Sequence, residues 1–333
     1  MRKTVFPVAL RLPALTLALL VAVASVRGCF ALRALREEEP PPAEAPTVAL
    51  YDAKRGEVLD LPLEEYLFGV VASEMPASFP AAALEAQAVS ARTYTAKRLA
   101  AFGGKPCGRH GADLCSDSSC CQAWRSREEH MERWGDDAQF YADKIERALE
   151  ETLGVVALYG GKPIDALYFS NSGGRTEDAA DVFGADVPYL VSVISPGEED
   201  ASHYEDSFSY TRKEFAKALN KAFPEAGLTA NDLEEQVEIL SRSEGGRVTE
   251  LRLGGVTITG REFRSALGLP SAGFTIDISS DGVEVDTRGF GHGVGMSQYG
   301  ARAMALDGSD YKEILAHYYT GITLGTLDEI ARG

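Results

Sequence analysis

The chain has 333 residues, with 50 acidic against 33 basic side chains and a formal net charge of −17. That balance leaves no basic footprint for a phosphate backbone, so nucleic-acid binding is excluded, whereas an uncharged glycan is an easier partner. Hydrophobic residues make up 45% of the chain, enough to bury a sizeable core in one large domain or two lobes.

Arg2 and Lys3 precede a mainly apolar, uncharged run over residues 12–26. A bilayer-spanning helix needs about 17 or more apolar residues. Residues 5–10 can extend the run, although Pro7 and Pro13 weaken its first turns. Ala22-Val-Ala24 has the small-x-small form of a cleavage site, so residues 1–28 read as a membrane anchor or a signal segment. Either exports the rest of the chain. Arg27, Arg33 and Arg36 make an unusual start for a secreted protein and favour the uncleaved, single-pass anchor with the rest of the chain outside the cytoplasm; the alternative is secretion after cleavage. Arg27 also spoils the apolar approach to Cys29 that a lipidated cysteine prefers. Residues 29–46 are an acidic, proline-rich linker, extended because prolines remove donors and neighbouring carboxylates repel.

Residues 47–333 form the remaining domain. After a short hairpin over 47–62, Leu63, Tyr66, Leu67, Val70 and Val71 fall at i, i+3, i+4, i+7 and i+8, the spacing of an amphipathic helix beginning near Pro62. The next core-facing position is Glu74, and Pro76 disfavours helical geometry at Met75. A carboxylate is thereby set at the mouth of a core. Desolvation raises such a group's pKa and makes it a proton donor near neutral pH; the alternative is a structural partner for an arginine such as Arg92 or for backbone amides.

Ser78 is the expected N-cap of an alanine-rich second helix in which Gln87 reads as solvated. Cys107, His110, Cys115, Cys120 and Cys121 then crowd into a short loop. Thiolate and imidazole suit zinc, although the spacing is not a standard finger, and disulfides are the alternative in an exported domain.

Residues 137–152 read as a helix bearing Phe140, Ile145, Ala148 and Leu149. Residues 155–169 read as a hairpin turned at Gly160-Gly, closed by Ser170-Asn-Ser-Gly-Gly. A helical pair is expected over 210–240, then strands at 247–253, 256–259 and 274–278 around a short helix at 261–267. Gly289, Gly291, Gly293 and Gly295 alternate around Phe290, His292 and Val294. This is neither a phosphate loop nor a dinucleotide fingerprint. Ser297 can cap a helix over 298–306, and His292, Gln298 and Tyr299 are the expected substrate-binding residues here. Tyr311, Ile314, Leu315 and Tyr318 form the stripe of a last helix. The fold class expected is α+β, with antiparallel strands and segregated helices forming a substrate groove.

The words Glu65-Tyr-Leu-Phe-Gly-Val-Val-Ala-Ser-Glu-Met-Pro-Ala-Ser-Phe-Pro, Leu84-Glu-Ala-Gln-Ala-Val-Ser-Ala-Arg-Thr-Tyr, Tyr168-Phe-Ser-Asn-Ser-Gly-Gly and Gly289-Phe-Gly-His-Gly-Val-Gly-Met-Ser-Gln-Tyr-Gly-Ala stand in one order. Together they resemble the stage II sporulation protein D (SpoIID/LytB) family across residues 47–327. The resemblance implies a lytic transglycosylase that cleaves the MurNAc–GlcNAc bond of denuded peptidoglycan glycan strands to 1,6-anhydro products, in cell-wall remodelling such as sporulation engulfment. It makes Glu74 the catalytic acid. Arg92, Ser170 and Ser172 become groove residues. It further implies zinc on His110, Cys115 and Cys121, structural or groove-shaping, with Cys107 and Cys120 departing from the pattern as a fourth ligand or as a disulfide. No organic cofactor is implied. Implied partners are a cell-wall amidase and membrane proteins of the engulfment machinery. The alternative is a non-catalytic wall-binding module that stimulates the amidase. Glu177, Asp178 and Asp181 are the acids available if a second carboxylate is required.

Overall fold

The computed structural model describes residues 46–331. The expected anchor or signal segment at 1–28, and the linker up to its last residue, lie outside them. Among the described residues no helix is long and apolar enough to cross a membrane.

The described chain begins as an antiparallel hairpin, β1 (Thr47–Asp52) and β2 (Glu57–Pro62). It then enters α1 (Leu63–Glu74), which buries Tyr66, Leu67, Val70 and Val71 as the spacing requires. Met75, held extended at φ −122° and ψ 136° ahead of Pro76, ends the helix at Glu74. α2 (Ala81–Ala96) starts after Pro80, later than the expected Ser78 cap, and is buried along almost its whole length. Its alanines let α1 and several later elements approach closely, so Gln87, read as solvated, is instead fully buried.

β3 (Leu114–Cys115) runs parallel to β1. α3 (Arg127–Trp134) is opened by a reciprocal cap between Ser126 and Glu129, and α4 (Ala138–Glu151) comes next. Phe140, expected in the core stripe of α4, points outward and is 65% exposed. β4 (Val155–Tyr159) turns into β5 (Lys162–Pro163). The expected hairpin breaks after that, because β6 (Tyr168–Phe169) is drawn into a parallel pairing with a distant strand. α5 (Ala179–Phe183) is a single short turn.

A second core is built by the next stretch. β7 (Glu205–Tyr210) leads into α6 (Arg212–Ala222). Beyond it the expected helical partner reduces to one turn, because β8 (Val237–Arg242) pairs with β9 (Val248–Leu253), which pairs with β10 (Val256–Thr259). α7 (Gly260–Leu267) precedes β11 (Phe274–Ile278) and β12 (Val283–Arg288); the latter lies between β11 and β7. Phe215, Phe263, Leu251 and Val285 pack in this core.

The chain then returns through β13 (Met296–Ser297), the partner of β6, to α8 (Gln298–Leu306) and α9 (Tyr311–Tyr318). β14 (Thr323–Thr326) closes antiparallel on β4. Tyr66, Val70, Leu84, Ile145 and Tyr318 share the first core. The architecture is α+β with several antiparallel sheets.

Candidate functional site

The site starts from a glycine inside a helix. A Cβ on Gly69 would sit 2.3 Å from Trp124 Nε1 and 2.5 Å from the Arg125 carbonyl, so only glycine lets that loop lie flat on α1. The same loop carries the Ala123 N–H, which donates to Glu74 Oε1 at 2.6 Å. Burial pushes the Glu74 carboxyl up to about 7, and the Ala123 N–H opposes the rise. Glu74 therefore exchanges a proton near neutrality.

Around it the polar groups are held neutral. Gln122 is buried, donating to Tyr66 Oη at 3.1 Å and Thr95 Oγ1 at 3.2 Å while accepting from Tyr168 Oη at 2.9 Å. Burial, and then the charge of Glu74, raise the Tyr168 phenol well above its ordinary value, so it remains a fixed O–H. His130, 3.1 Å from Ser73 Oγ, is lowered to about 4 by burial and stays neutral.

The loop holding Ala123 continues directly from the cysteines. Sulfurs of Cys107, Cys115, Cys120 and Cys121 lie within 4.8 Å of one another, and those of Cys120 and Cys121 are 3.8 Å apart. A tetrahedral zinc with Zn–S of about 2.3 Å separates its sulfurs by roughly 3.8 Å, so this donor set fits the metal. His110 is not brought into it. Its ring is exposed and stacks on Tyr51 with centroids 3.9 Å apart, while Cys107 and Cys120 join the sulfurs of Cys115 and Cys121.

Other expected residues are also placed differently. Arg92 faces no groove: it is fully buried, and its Nε and Nη2 donate to Glu64 at 3.1 and 2.9 Å while Nη1 donates to the Thr152 carbonyl at 2.8 Å. A buried guanidinium must be matched in this way. Ser172 donates to Glu198 Oε2 at 2.7 Å. Gln298 turns inward and donates to Gln87 Oε1 at 3.2 Å. His292 accepts the Val294 N–H at Nδ1 at 3.1 Å, and its ring lies against Phe169 and Phe183. Tyr299 is half-buried, its ring edge-on to Phe79 in the turn that leaves Glu74, and Ser170 accepts the Tyr299 N–H through its carbonyl at 3.0 Å.

Glu198 was missed. It is 1% exposed, and its Oε2 accepts from the Ser172 and Gly173 amides at 2.8 and 3.0 Å. Its Oε1 accepts from Ser195 Oγ at 2.7 Å and from Ser297 Oγ. It thus ties the Ser-Asn-Ser turn to the cap of α8. The serines were visible in sequence; nothing in spacing pointed to their acceptor.

A helix ended by a desolvated acid and overlain by the loop that follows the cysteine cluster lies inside residues 51–159, the span matched by the family model described as "Stage II sporulation protein". Stage II sporulation protein D of Bacillus subtilis (strain 168) is 36% identical over 282 residues, covering 85% of this chain and 80% of that protein. The protein of the same name from Bacillus amyloliquefaciens is 36% identical over 299 residues, 89% of this chain and 84% of its own. A Bacillus subtilis protein named amidase enhancer is 26% identical over 305 residues, 78% of this chain and 40% of that longer one. The chain belongs to the stage II sporulation protein D family.

Proposed function

We propose that the chain is a lytic transglycosylase of the cell wall, cleaving the MurNAc–GlcNAc bond of denuded glycan strands to 1,6-anhydro products. The observation that carries this reading is the Glu74 carboxyl, desolvated at a helix end and raised to about 7. Protonated, Glu74 gives its proton to the departing glycosidic oxygen as the anomeric C–O bond breaks. As carboxylate it takes the proton from the muramyl 6-hydroxyl while that oxygen bonds to the anomeric carbon. Ordinary glycosidases add a second carboxylate to activate water or act as nucleophile; here the substrate's own hydroxyl takes that place. Of the acids considered for a second role, Asp178 accepts the Ser192 N–H at 3.1 Å, and Glu177 is buried with its nearest cation, Arg247, 3.6 Å away.

The cysteine sulfurs would hold zinc through Cys107, Cys115, Cys120 and Cys121. Bound there, zinc supplies a structural cross-link beside Gln122 and Ala123, which position Tyr168 and Glu74. Metal analysis of the reduced protein, finding one zinc per chain that Cys121→Ser removes, tests this. In the same reading residues 1–28 anchor the chain and the described residues work outside the cytoplasm, on wall opened during sporulation.

The test is Glu74→Gln on denuded glycan strands, with anhydro-muropeptides followed by mass spectrometry. Unchanged product formation sinks the reading. A relative named amidase enhancer favours one alternative, a wall-binding module that stimulates a partner amidase. That alternative predicts co-sedimentation with glycan and no anhydro product from either protein.

A further inference from the structure

A cavity of about 820 Å³, apart from Glu74, is walled by Glu177, Phe183, His292, Phe223, Arg247 and Arg261. Arg247 and Glu177 are 4% and 1% exposed. Among the described residues, Arg247 Nε and Nη2 and Glu177 Oε1 have no hydrogen-bond partner. Their closest approach, 3.6 Å between Nε and Oε1, is too long for a hydrogen bond, and only Arg247 Nη1 is used, donating to the Gly291 carbonyl at 2.8 Å. Buried polar groups are rarely left so.

Glycines press in on the pair from the protein side. A Cβ on Gly293 would come within 2.7 Å of Arg247 Cζ, and one on Gly245 within 2.0 Å of Glu177 Oε1. Both side chains line the 820 Å³ cavity, and Arg247 also lines a second one of about 430 Å³ beside Gly245 and Gly246. In the larger cavity Phe183 is 42% exposed, with the Arg261 guanidinium 5.6 Å from its ring centroid.

The charges on the wall decide the ligand's class. Arg247, Arg261 and Arg264 are opposed by Glu177, Asp181 and Glu262, so an anion gains no net attraction. Adjacent unpaired donors and an unpaired acceptor, buried in the cavity wall, instead fit a neutral group that accepts and donates at once when the two side chains turn toward it. An acetamido group does both: its carbonyl accepts from Arg247, its N–H donates to Glu177, and its methyl and the sugar face rest on Phe183 and Phe223. A cavity of this size holds more than one sugar ring.

We propose that this cavity is a second glycan subsite that reads the N-acetyl group of a hexosamine unit. The proposal rests on the glycan reading of the chain and not on the chemistry of Glu74.

The test uses the full-length Glu74→Gln chain in detergent, titrated calorimetrically with chitotetraose and with cellotetraose, which lacks the acetamido groups. Phe183→Ala, and Ala222→Trp at the exposed end of α6 where it fills the cavity mouth, are each added to that background. Chitotetraose affinity is expected to fall at least tenfold in both, and cellotetraose to bind at least tenfold more weakly than chitotetraose. Equal affinity in folded variants, equal binding of the two sugars, or no binding of chitotetraose overturns the proposal. Cavity-dependent binding in a protein whose wild type makes no anhydro product would sink the transglycosylase reading and leave the subsite standing. Anhydro product with cavity-independent binding would do the reverse.

Discussion

Glu74 and Glu198 are both carboxylates drawn out of bulk water by the first core, and their surroundings are opposite. Glu198 is met by amides and hydroxyls from Ser172, Gly173, Ser195 and Ser297. Glu74 is met by the Ala123 N–H. A carboxylate surrounded by donors fastens chain segments together, whereas one desolvated with few donors holds its proton more tightly and can deliver it. Position in the core does not make an acid reactive; the number of donors facing it does.

Exchanging the two environments' defining groups breaks this comparison most sharply. Glu74→Gln should lower anhydro-product formation by at least about 10³-fold, the scale of a lost general acid and base, with circular dichroism unchanged. Glu198→Ala should do the opposite, leaving buried donors unpaired and costing about 3 kcal/mol or more, seen as a fall in melting temperature on the order of 10 °C. Loss of fold from the first, or none from the second, would erase the contrast.

The pH dependence sharpens it. The folded-state pKa of Glu74, about 7, lies above its reference of 4.5, so the folded protein binds this proton more tightly than the unfolded chain does. That contribution is present below pH 4.5 and is lost as pH rises through about 7, a change of about 3 kcal/mol. Denaturation at pH 5 and pH 8.5 should therefore show wild type losing stability relative to Glu74→Gln. Activity that needs the protonated acid should decline above pH 7. The smallest change is Gly69→Ala, whose methyl displaces Trp124 and with it the Ala123 N–H. Product formation should fall about tenfold, and stability by about 1–2 kcal/mol, checked by rate and by chemical denaturation.

α1 and its terminal acid were legible because their determinants are local: a helical period, then Pro76. Gly69 was a readable signal as well, since glycine inside a helix asks for a close neighbour, although the neighbour at Trp124 is far along the chain. Arg92 was misplaced because Glu64 and the Thr152 carbonyl meet it only through tertiary packing. His110 looked like a ligand by proximity in sequence, yet its stacking on Tyr51 turns it away from the sulfurs. Residues 237–240 read as helix until β9 supplied a ladder for them. The Arg247–Glu177 pair carried no signal, because its members stand far apart in the chain and meet only through tertiary packing.

The most direct measurement is a carboxyl-carbon NMR titration of isotopically labelled protein, with Glu74→Gln used to assign the resonance. A Glu74 carboxyl titrating near pH 7 is the predicted result. A midpoint near 4.5, the value of a glutamate in water, would contradict the claim that this acid is poised to give up a proton.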